Sequence, residues 1–186
     1  MPSPANPQQN PKQIRTSGAR HDTAIKDATW DAYRGPLPPE PTRCPGCGAT
    51  VHGGRWTWEK APAGAHEQTC PACRRIADDY PEGFLTISGS FFAAHRQEIL
   101  ALIENVATTE GAEHPLNRVM DQREEGGSLI IRTTDNHLPR RMGEALHGAY
   151  KGTLDFRYPP EEAALRVTWS RDATGEGGAG RAPARH

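Results

Sequence analysis

The chain has 186 residues, and its 22 lysines and arginines against 23 aspartates and glutamates leave a net charge of −1, which gives no overall attraction to nucleic acid or anionic lipid. Only 35% of the residues are hydrophobic, while 19 are glycine and 17 are proline, which is typical of a chain that is folded only in part. No apolar run approaches the roughly 20 residues that cross a bilayer, and no secretory signal is visible, so we expect a cytoplasmic protein rather than an integral membrane protein.

Both ends of the chain are predicted to be disordered tails. Residues 1–43 hold eight of the prolines, six basic and four acidic side chains, and few large apolar residues. Such a segment cannot bury enough apolar surface to offset the entropy lost on ordering. Residues 171–186 contain four glycines and form the second predicted tail.

All four cysteines lie in residues 44–80, as two C-x-x-C pairs with 22 residues between them: Cys44, Cys47, Cys70 and Cys73. Two residues between thiolates let a tight turn aim both sulfurs at one point. Two such turns at adjacent strand ends complete a tetrahedral site for Zn²⁺. In a chain that is not exported, metal ligation explains these cysteines better than disulfides do. The pattern predicts a zinc ribbon over 44–80 with one structural zinc, and Val51, Trp56 and Trp58 favour a short hairpin between the pairs.

Other ligands and another metal are alternatives at this site. Four thiolates close the coordination sphere and leave no position for an activated water, so a catalytic metal is not expected. Thiolates do not choose between zinc and iron, so a rubredoxin-like electron carrier stays open. His52 and His66 lie between the pairs and could replace a cysteine, although an ordinary loop position is the preferred interpretation.

Residues 81–170 carry the periodic apolar pattern and a net charge of −4. Apolar positions spaced by three and four over 91–106 predict a helix that Gly111 and Pro115 end, and Gly126-Gly127 then offers the turn of a hairpin. Asp135 or Asn136 begins a second helix that stops at Gly152, and alternating apolar residues over 154–158 and 165–169 predict a second hairpin. The order predicts an α+β fold, an αββαββ two-layer unit with both helices on one face of a four-stranded antiparallel sheet.

Several stretches of the sequence resemble part of the nonsense-mediated decay protein three family, namely 70–76 followed by Tyr80 and 83–87, together with 133–135 and 140–146. Its archaeal and eukaryotic members bind the large ribosomal subunit, and the eukaryotic ones act as its nuclear export adaptor. The resemblance runs roughly from Cys44 to Trp169, but this chain lacks the family's additional metal-binding cysteines and further domains. The resemblance therefore implies a zinc ribbon joined to an α+β module and a surface for ribosomal RNA or protein, without the export role.

A second similarity is to small bacterial zinc-ribbon proteins. These share the start Cys-Pro-x-Cys-Gly-Ala and the Gly-Arg-Trp that stands here at Gly54-Arg55-Trp56. This similarity covers almost the whole chain and implies a metal-binding ribbon, without implying an activity.

The leading functional prediction is a non-catalytic zinc-ribbon protein that binds RNA or the ribosome. Arginines can contact phosphates and tryptophans can stack on bases, so the candidate contact residues are Arg55, Trp56, Trp58, Arg74, Arg75, Arg140 and Arg141. Because residues 81–170 are acidic overall, an RNA contact must come from a local patch. The alternative is a protein-interaction adaptor for a transcription or enzyme complex, favoured by the acidic helical unit and the tails.

An enzyme is not expected. The sequence has no P-loop, G-x-S-x-G, H-E-x-x-H or dinucleotide-binding fingerprint, and the adjacent carboxylates Asp78-Asp79 and Glu124-Glu125 point apart on any regular element. No membrane partner or small-molecule substrate is predicted.

Overall fold

The computed structural model describes Tyr33, residues 35–160 and residues 163–173. Most of both predicted tails therefore lies outside the described residues. The last residues of the segment predicted as the N-terminal tail are part of the fold, because Thr42 and Arg43 form a strand of the ribbon sheet. No helix in the described ranges is long and apolar enough to cross a membrane.

The ribbon is a small four-stranded sheet followed by a short helix. Its elements are β1 (Thr42–Arg43), β2 (Thr50–His52), β3 (Arg55–Thr57), β4 (His66–Glu67) and α1 (Pro71–Ala77). The strand order is β3-β2-β1-β4, with β1 and β4 parallel and the other pairs antiparallel. The predicted hairpin is the β2–β3 pair, in which Val51 lies opposite Trp56. The helix α1 was not predicted.

The rest of the chain forms a second, five-stranded sheet with three helices. Its elements are β5 (Gly83–Ser88), α2 (Ser90–Ala94), α3 (Arg96–Glu113), β6 (Val119–Glu125), β7 (Ser128–Thr133), α4 (His137–Tyr150), β8 (Thr153–Arg157) and β9 (Leu165–Ser170). The strand order is β6-β7-β5-β9-β8, and β5 runs parallel to β9.

The α+β class is confirmed, and both predicted hairpins are present as β6–β7 and β8–β9. The predicted four-stranded antiparallel sheet is corrected by the central strand β5, which joins the two hairpins and makes the sheet mixed. Leu85 at its middle pairs with Ile131 on one side and Val167 on the other. The unit is therefore βαββαββ.

One hydrophobic core lies between the sheet and the helices. It contains alternate residues of the three central strands together with Phe92, Ile99, Ile103, Leu138, Met142 and Leu146 of the helices. The first predicted helix is interrupted at His95, whose ring stacks on Phe91 with centroids 4.1 Å apart, so the segment forms α2 and α3. The helix α3 ends at Glu113, between Gly111 and Pro115, the two residues predicted to end it.

Asp135 caps α4 and carries an unusual carboxyl group. Its Oδ2 accepts hydrogen bonds from the N–H groups of His137 (2.7 Å) and Leu138 (3.0 Å), while its buried Oδ1 has no hydrogen-bond partner among the described residues. Burial raises the pKa of this carboxyl to about 6, with the nearby Glu82 adding to the rise and the two N–H groups opposing it. The sequence predicted Asp135 or Asn136 as the cap: Asn136 occupies the N-cap position without a side-chain hydrogen bond, and the Asp135 carboxyl makes the capping hydrogen bonds.

Replacing Asp135 by asparagine is expected to raise the free energy of unfolding at pH 7 by about 1 kcal/mol and to remove a pH dependence between about pH 4 and pH 6. The folded pKa of Asp135 lies above the ordinary value of 3.8, so the folded chain holds a proton that the unfolded chain releases in this window. The contribution of Asp135 to stability therefore falls as the pH rises through this window. Asparagine keeps the acceptor for α4 without the charge.

Urea unfolding of both proteins at several pH values from 4 to 7 measures the effect. An Asp135→Ala control should be about 1 kcal/mol less stable than Asp135→Asn, because it loses the cap. An unchanged pH slope in Asp135→Asn would contradict this account of Asp135.

Candidate metal centre

The first cysteine pair lies in a tight turn directly after β1. The turn is closed by the hydrogen bonds from Cys44 N to Ala49 O (2.7 Å) and from Gly48 N to Cys44 O (2.9 Å). Gly48 has a φ of +82°, which favours glycine. At Gly46 a Cβ atom would lie 3.2 Å from Cys73 Sγ, so glycine lets the turn approach the second pair closely.

The second pair lies at the start of α1, not in a turn at a strand end as predicted. Cys70 is the N-cap, and its Sγ accepts a hydrogen bond from Cys73 N at 3.4 Å. Pro71 occupies the first helical position, where its missing N–H is not needed. One helical turn therefore brings the sulfurs of Cys70 and Cys73 together, as the glycine-containing turn does for Cys44 and Cys47.

The four sulfurs converge on one point. All four Sγ atoms lie within 4.8 Å of one another, and the Cys47 and Cys70 sulfurs are 3.7 Å apart. A zinc ion at about 2.3 Å from each sulfur requires separations of about 3.8 Å. The four thiols are free, with Cys44 and Cys70 buried and the other two half-buried. The cluster fits a single metal ion, and the exposed His52 and His66 are not part of it.

Within the cluster, the pKa values of the Cys44 and Cys70 thiols are shifted in opposite directions. The pKa of the Cys44 thiol falls to about 7: burial acts to raise it, but the backbone N–H groups of Cys70, Cys47 and Gly46 outweigh burial. Burial raises the pKa of Cys70, and the neighbouring cysteines raise it further. Thiolates packed this closely repel one another, and a divalent cation among them deprotonates the coordinating thiols.

Arg118 brings a positive charge from the second sheet to the cysteines. Its Nη2 lies 3.2 Å from Cys73 Sγ and 3.5 Å from Cys70 Sγ, and three hydrogen bonds with Thr134 fix the backbone of Arg118. A metal bound by four thiolates carries a net charge of −2, of which Arg118 offsets one unit. Sequence reasoning missed Arg118, because 45 residues separate it from Cys73 and no local motif marks it.

The metal centre lies where the ribbon meets the second sheet. Leu116 packs against the small core of the ribbon, and Trp58 Nε1 donates to the carbonyl of Gly111 in α3 at 2.6 Å. Near the end of α1, Nη2 of the buried Arg75 lies 3.1 Å from Oε2 of Glu82, the residue just before β5. Together with Arg118, these contacts hold the two sheets around the cysteines.

Two of the residues predicted to contact RNA are buried. Trp56 is only 8% exposed and belongs to the ribbon core, so it cannot stack on a base in this structure. Arg75 is 3% exposed, pairs with Glu82, and has its guanidinium 4.4 Å from the ring of Tyr33. Their burial follows from the size of the ribbon, which needs its large side chains for its own packing.

The other predicted contact residues reach the surface on several elements. On the ribbon, Arg55 is exposed, whereas Arg74 donates to the carbonyl of Tyr33 at 2.8 Å. On α4, Arg140 lies over the ring of Phe156, and Arg141 donates to Glu110 at 2.8 Å. With Trp58, which reaches Gly111, these residues are spread over three elements, β3, α1 and α4, and the segment that follows β3.

Replacing Arg118 by methionine is expected to weaken zinc binding by about 10- to 100-fold, because groups around the ligands tune metal affinity to that extent. Competition with a chromogenic chelator on the full chain measures the affinity. Arg118→Lys should restore part of it, and the control Arg96→Met removes an arginine that pairs with Glu124, away from the cysteines. Equal zinc affinities for the Arg118→Met and Arg96→Met variants would show that Arg118 does not act on the metal.

No family model, curated protein or solved structure matches the chain. The resemblance to the nonsense-mediated decay protein three family and to the small bacterial zinc-ribbon proteins therefore stays a prediction that depends on the motif residues alone. Fold and cysteines define an α+β protein with one four-cysteine site able to hold a metal ion.

Proposed function

We propose that this chain is a non-catalytic zinc protein that binds RNA, either free or in the ribosome. The convergence of four cysteine sulfurs within 4.8 Å carries the metal part of the proposal. Four thiolates fill a tetrahedral zinc site and leave no position for a substrate, so zinc here holds the structure together. Thiols stay reduced in the cytoplasm, and we propose that the protein is located there.

Basic side chains at the surface support the RNA part. Arg55 at the start of β3 and Arg140 and Arg141 on α4 reach solvent at least in part, and each can contact a phosphate at little cost. The arginine pair on α4 is also within the stretch that resembles the ribosome-binding family. Because the total charge is close to zero, we expect binding through local patches and a modest number of phosphate contacts.

Sedimentation of the tagged full chain with ribosomes tests this proposal at two salt concentrations. We expect the chain to comigrate with ribosomal fractions at low salt and to leave them at high salt, because phosphate contacts weaken steeply as counterions compete. A filter-binding assay with total RNA at the same two concentrations covers free RNA. Absence of binding in both assays at low salt would contradict the RNA function.

A protein-interaction adaptor is the second candidate, and the acidic outer surface of α3 favours it. Glu98, Glu104 and Glu113 are exposed on this helix, where they repel phosphates and suit a basic protein partner. The same sedimentation experiment separates the two candidates. Comigration that survives nuclease treatment of the sample would favour the adaptor over the RNA-binding protein.

A further inference from the structure

The five-stranded sheet has a face that is opposite to its helices. Core residues such as Leu85, Ile131 and Val167 alternate along the central strands with residues whose side chains leave the other face. We call this second side the open face. Its centre on β7, β5 and β9 consists of Arg132, Ile130, Phe84, Thr86, Arg166 and Thr168.

An aromatic ring lies at the middle of the open face. Phe84 is half-buried on the central strand, and the register places it between Arg132 of β7 and Arg166 of β9. The Arg166 guanidinium is 4.5 Å from the centre of the Phe84 ring. Next to this row, Thr86 is paired with Thr168 and so adds hydroxyl groups beside the ring. A ring flanked by arginines and hydroxyls is suited to a nucleotide, since its base can stack while its phosphate and sugar bind polar groups.

The open face is also more basic than the rest of the domain. Of the nine basic side chains in residues 81–170, four lie on it: Arg123, Arg132, Arg157 and Arg166. Of the eleven acidic ones among the described residues of this range, three lie on its strands: Asp121, Glu125 and Asp155. Four other acidic residues lie on α3. The strand residues of the open face balance to +1, and the carboxylate of Asp79, which binds Arg132 from outside the sheet, brings this to zero. The face is therefore less acidic than the rest of the domain.

The carboxylates on the open face order its arginines without covering the ring. The largely buried Arg132 donates to both Asp121 and Asp79, and Asp121 also lies 3.3 Å from Arg123 Nη2. At the other edge of the sheet, Asp155 accepts from Arg157 Nε at 2.6 Å. These carboxylates lie toward β6 and on β8, and the contact with the Phe84 ring itself comes from the Arg166 guanidinium.

We propose that the open face binds single-stranded RNA, with a base stacked on Phe84 and the backbone passing Arg166 and Arg123. The proposal rests on the RNA-binding function proposed above and gives it a surface. A base on Phe84 takes the place of the Arg166 guanidinium, which then lies beside the phosphate. A duplex is disfavoured, because its bases are already stacked on one another and a flat sheet cannot enter the deep, narrow major groove of A-form RNA.

Fluorescence anisotropy with a labelled single-stranded oligouridine and the full zinc-loaded chain tests the proposal. We expect Phe84→Leu to weaken binding by about 5- to 150-fold, and Phe84→Tyr to retain it, because the stacking of one base on an aromatic ring is lost only in the first. Arg166→Gln should lower the slope of log affinity against log salt by about 0.7, the value for one phosphate contact of a single strand. The control Arg96→Gln removes a charge from the helical side and should leave both quantities unchanged.

The outcomes separate this surface from the wider function. If the unmodified chain binds oligouridine and Phe84→Leu binds equally well, the open face is not the site, while RNA binding through Arg55, Arg140 or Arg141 stands. Equal affinity for a duplex of the same length would also overturn the proposal. If the unmodified chain binds neither oligouridine, total RNA nor ribosomes, the RNA function falls together with this surface. Thermal melting of Phe84→Leu confirms that the variant is folded.

Discussion

Replacing Cys70 by serine is expected to abolish zinc binding and to unfold the ribbon while the second sheet stays folded. The ribbon core consists of only six buried residues, and two of these, Cys44 and Cys70, are themselves metal ligands. A core of this size cannot offset the conformational entropy of residues 44–80, whereas structural zinc contributes apparent binding energies of about 10–16 kcal/mol in zinc-finger peptides. The second sheet has its own core of thirteen buried residues and does not depend on the metal.

Two-dimensional NMR of the full chain, with zinc determined on the same sample, measures this effect. The signals of residues 44–80 should collapse toward random-coil positions in Cys70→Ser, while those of 83–170 stay dispersed. Thr69→Ser is the matched control, since it changes a neighbouring half-buried residue and no ligand. One zinc per chain and an unchanged melting temperature in Cys70→Ser would contradict the assigned ligand set.

Replacing Arg75 by methionine is expected to cost about 3–5 kcal/mol of folding free energy. Arg75 and Glu82 are both nearly inaccessible and lie 3.1 Å apart, so the substitution leaves a buried carboxylate without its guanidinium. Glu82 is fixed at this position by backbone hydrogen bonds to Thr133 and Leu165, one on each strand beside β5. The carboxylate therefore cannot move to solvent without opening the start of the central strand.

The double variant Arg75→Met with Glu82→Leu tests the cause of that loss. Because removing both charges also removes the desolvation cost, we expect it to be much more stable than Arg75→Met alone. Chemical denaturation of the four proteins of the cycle gives the coupling energy between the two residues. A double variant as unstable as Arg75→Met would show that packing of Arg75 against Tyr33 and Tyr80, not its charge, is what matters.

Local spacing predicts most of the features that depend on near neighbours. The two C-x-x-C pairs identify the four residues of the metal cluster, since two residues between sulfurs are enough to bring each pair together. The hairpins around Gly126-Gly127 and between β8 and β9 follow from alternating apolar residues on both sides of a turn. The length of α4 follows from its apolar stripe and from the residues at its two ends.

The features that were missed depend on residues far apart in the sequence. The strand β5 is central because it pairs with β9, about 80 residues later, and a single short strand gives no local sign of such a partner. Arg118 reaches the cysteines only because Thr134 fixes its backbone beside them. Trp56 is buried because it packs in the ribbon core, and Arg75 is buried because it pairs with Glu82. Neither contact can be predicted from composition or local spacing.

Metal analysis of the purified full chain tests the central claim most directly, namely that four cysteines hold one structural zinc. Elemental analysis, native mass spectrometry and the visible spectrum are recorded on one sample, with alkylation of thiols before and after a strong chelator. We predict one zinc per chain, no absorption in the visible range, and four thiols that react only after the chelator has removed the metal. A red protein that contains iron, or a metal-free protein whose four thiols react at once, would contradict the claim.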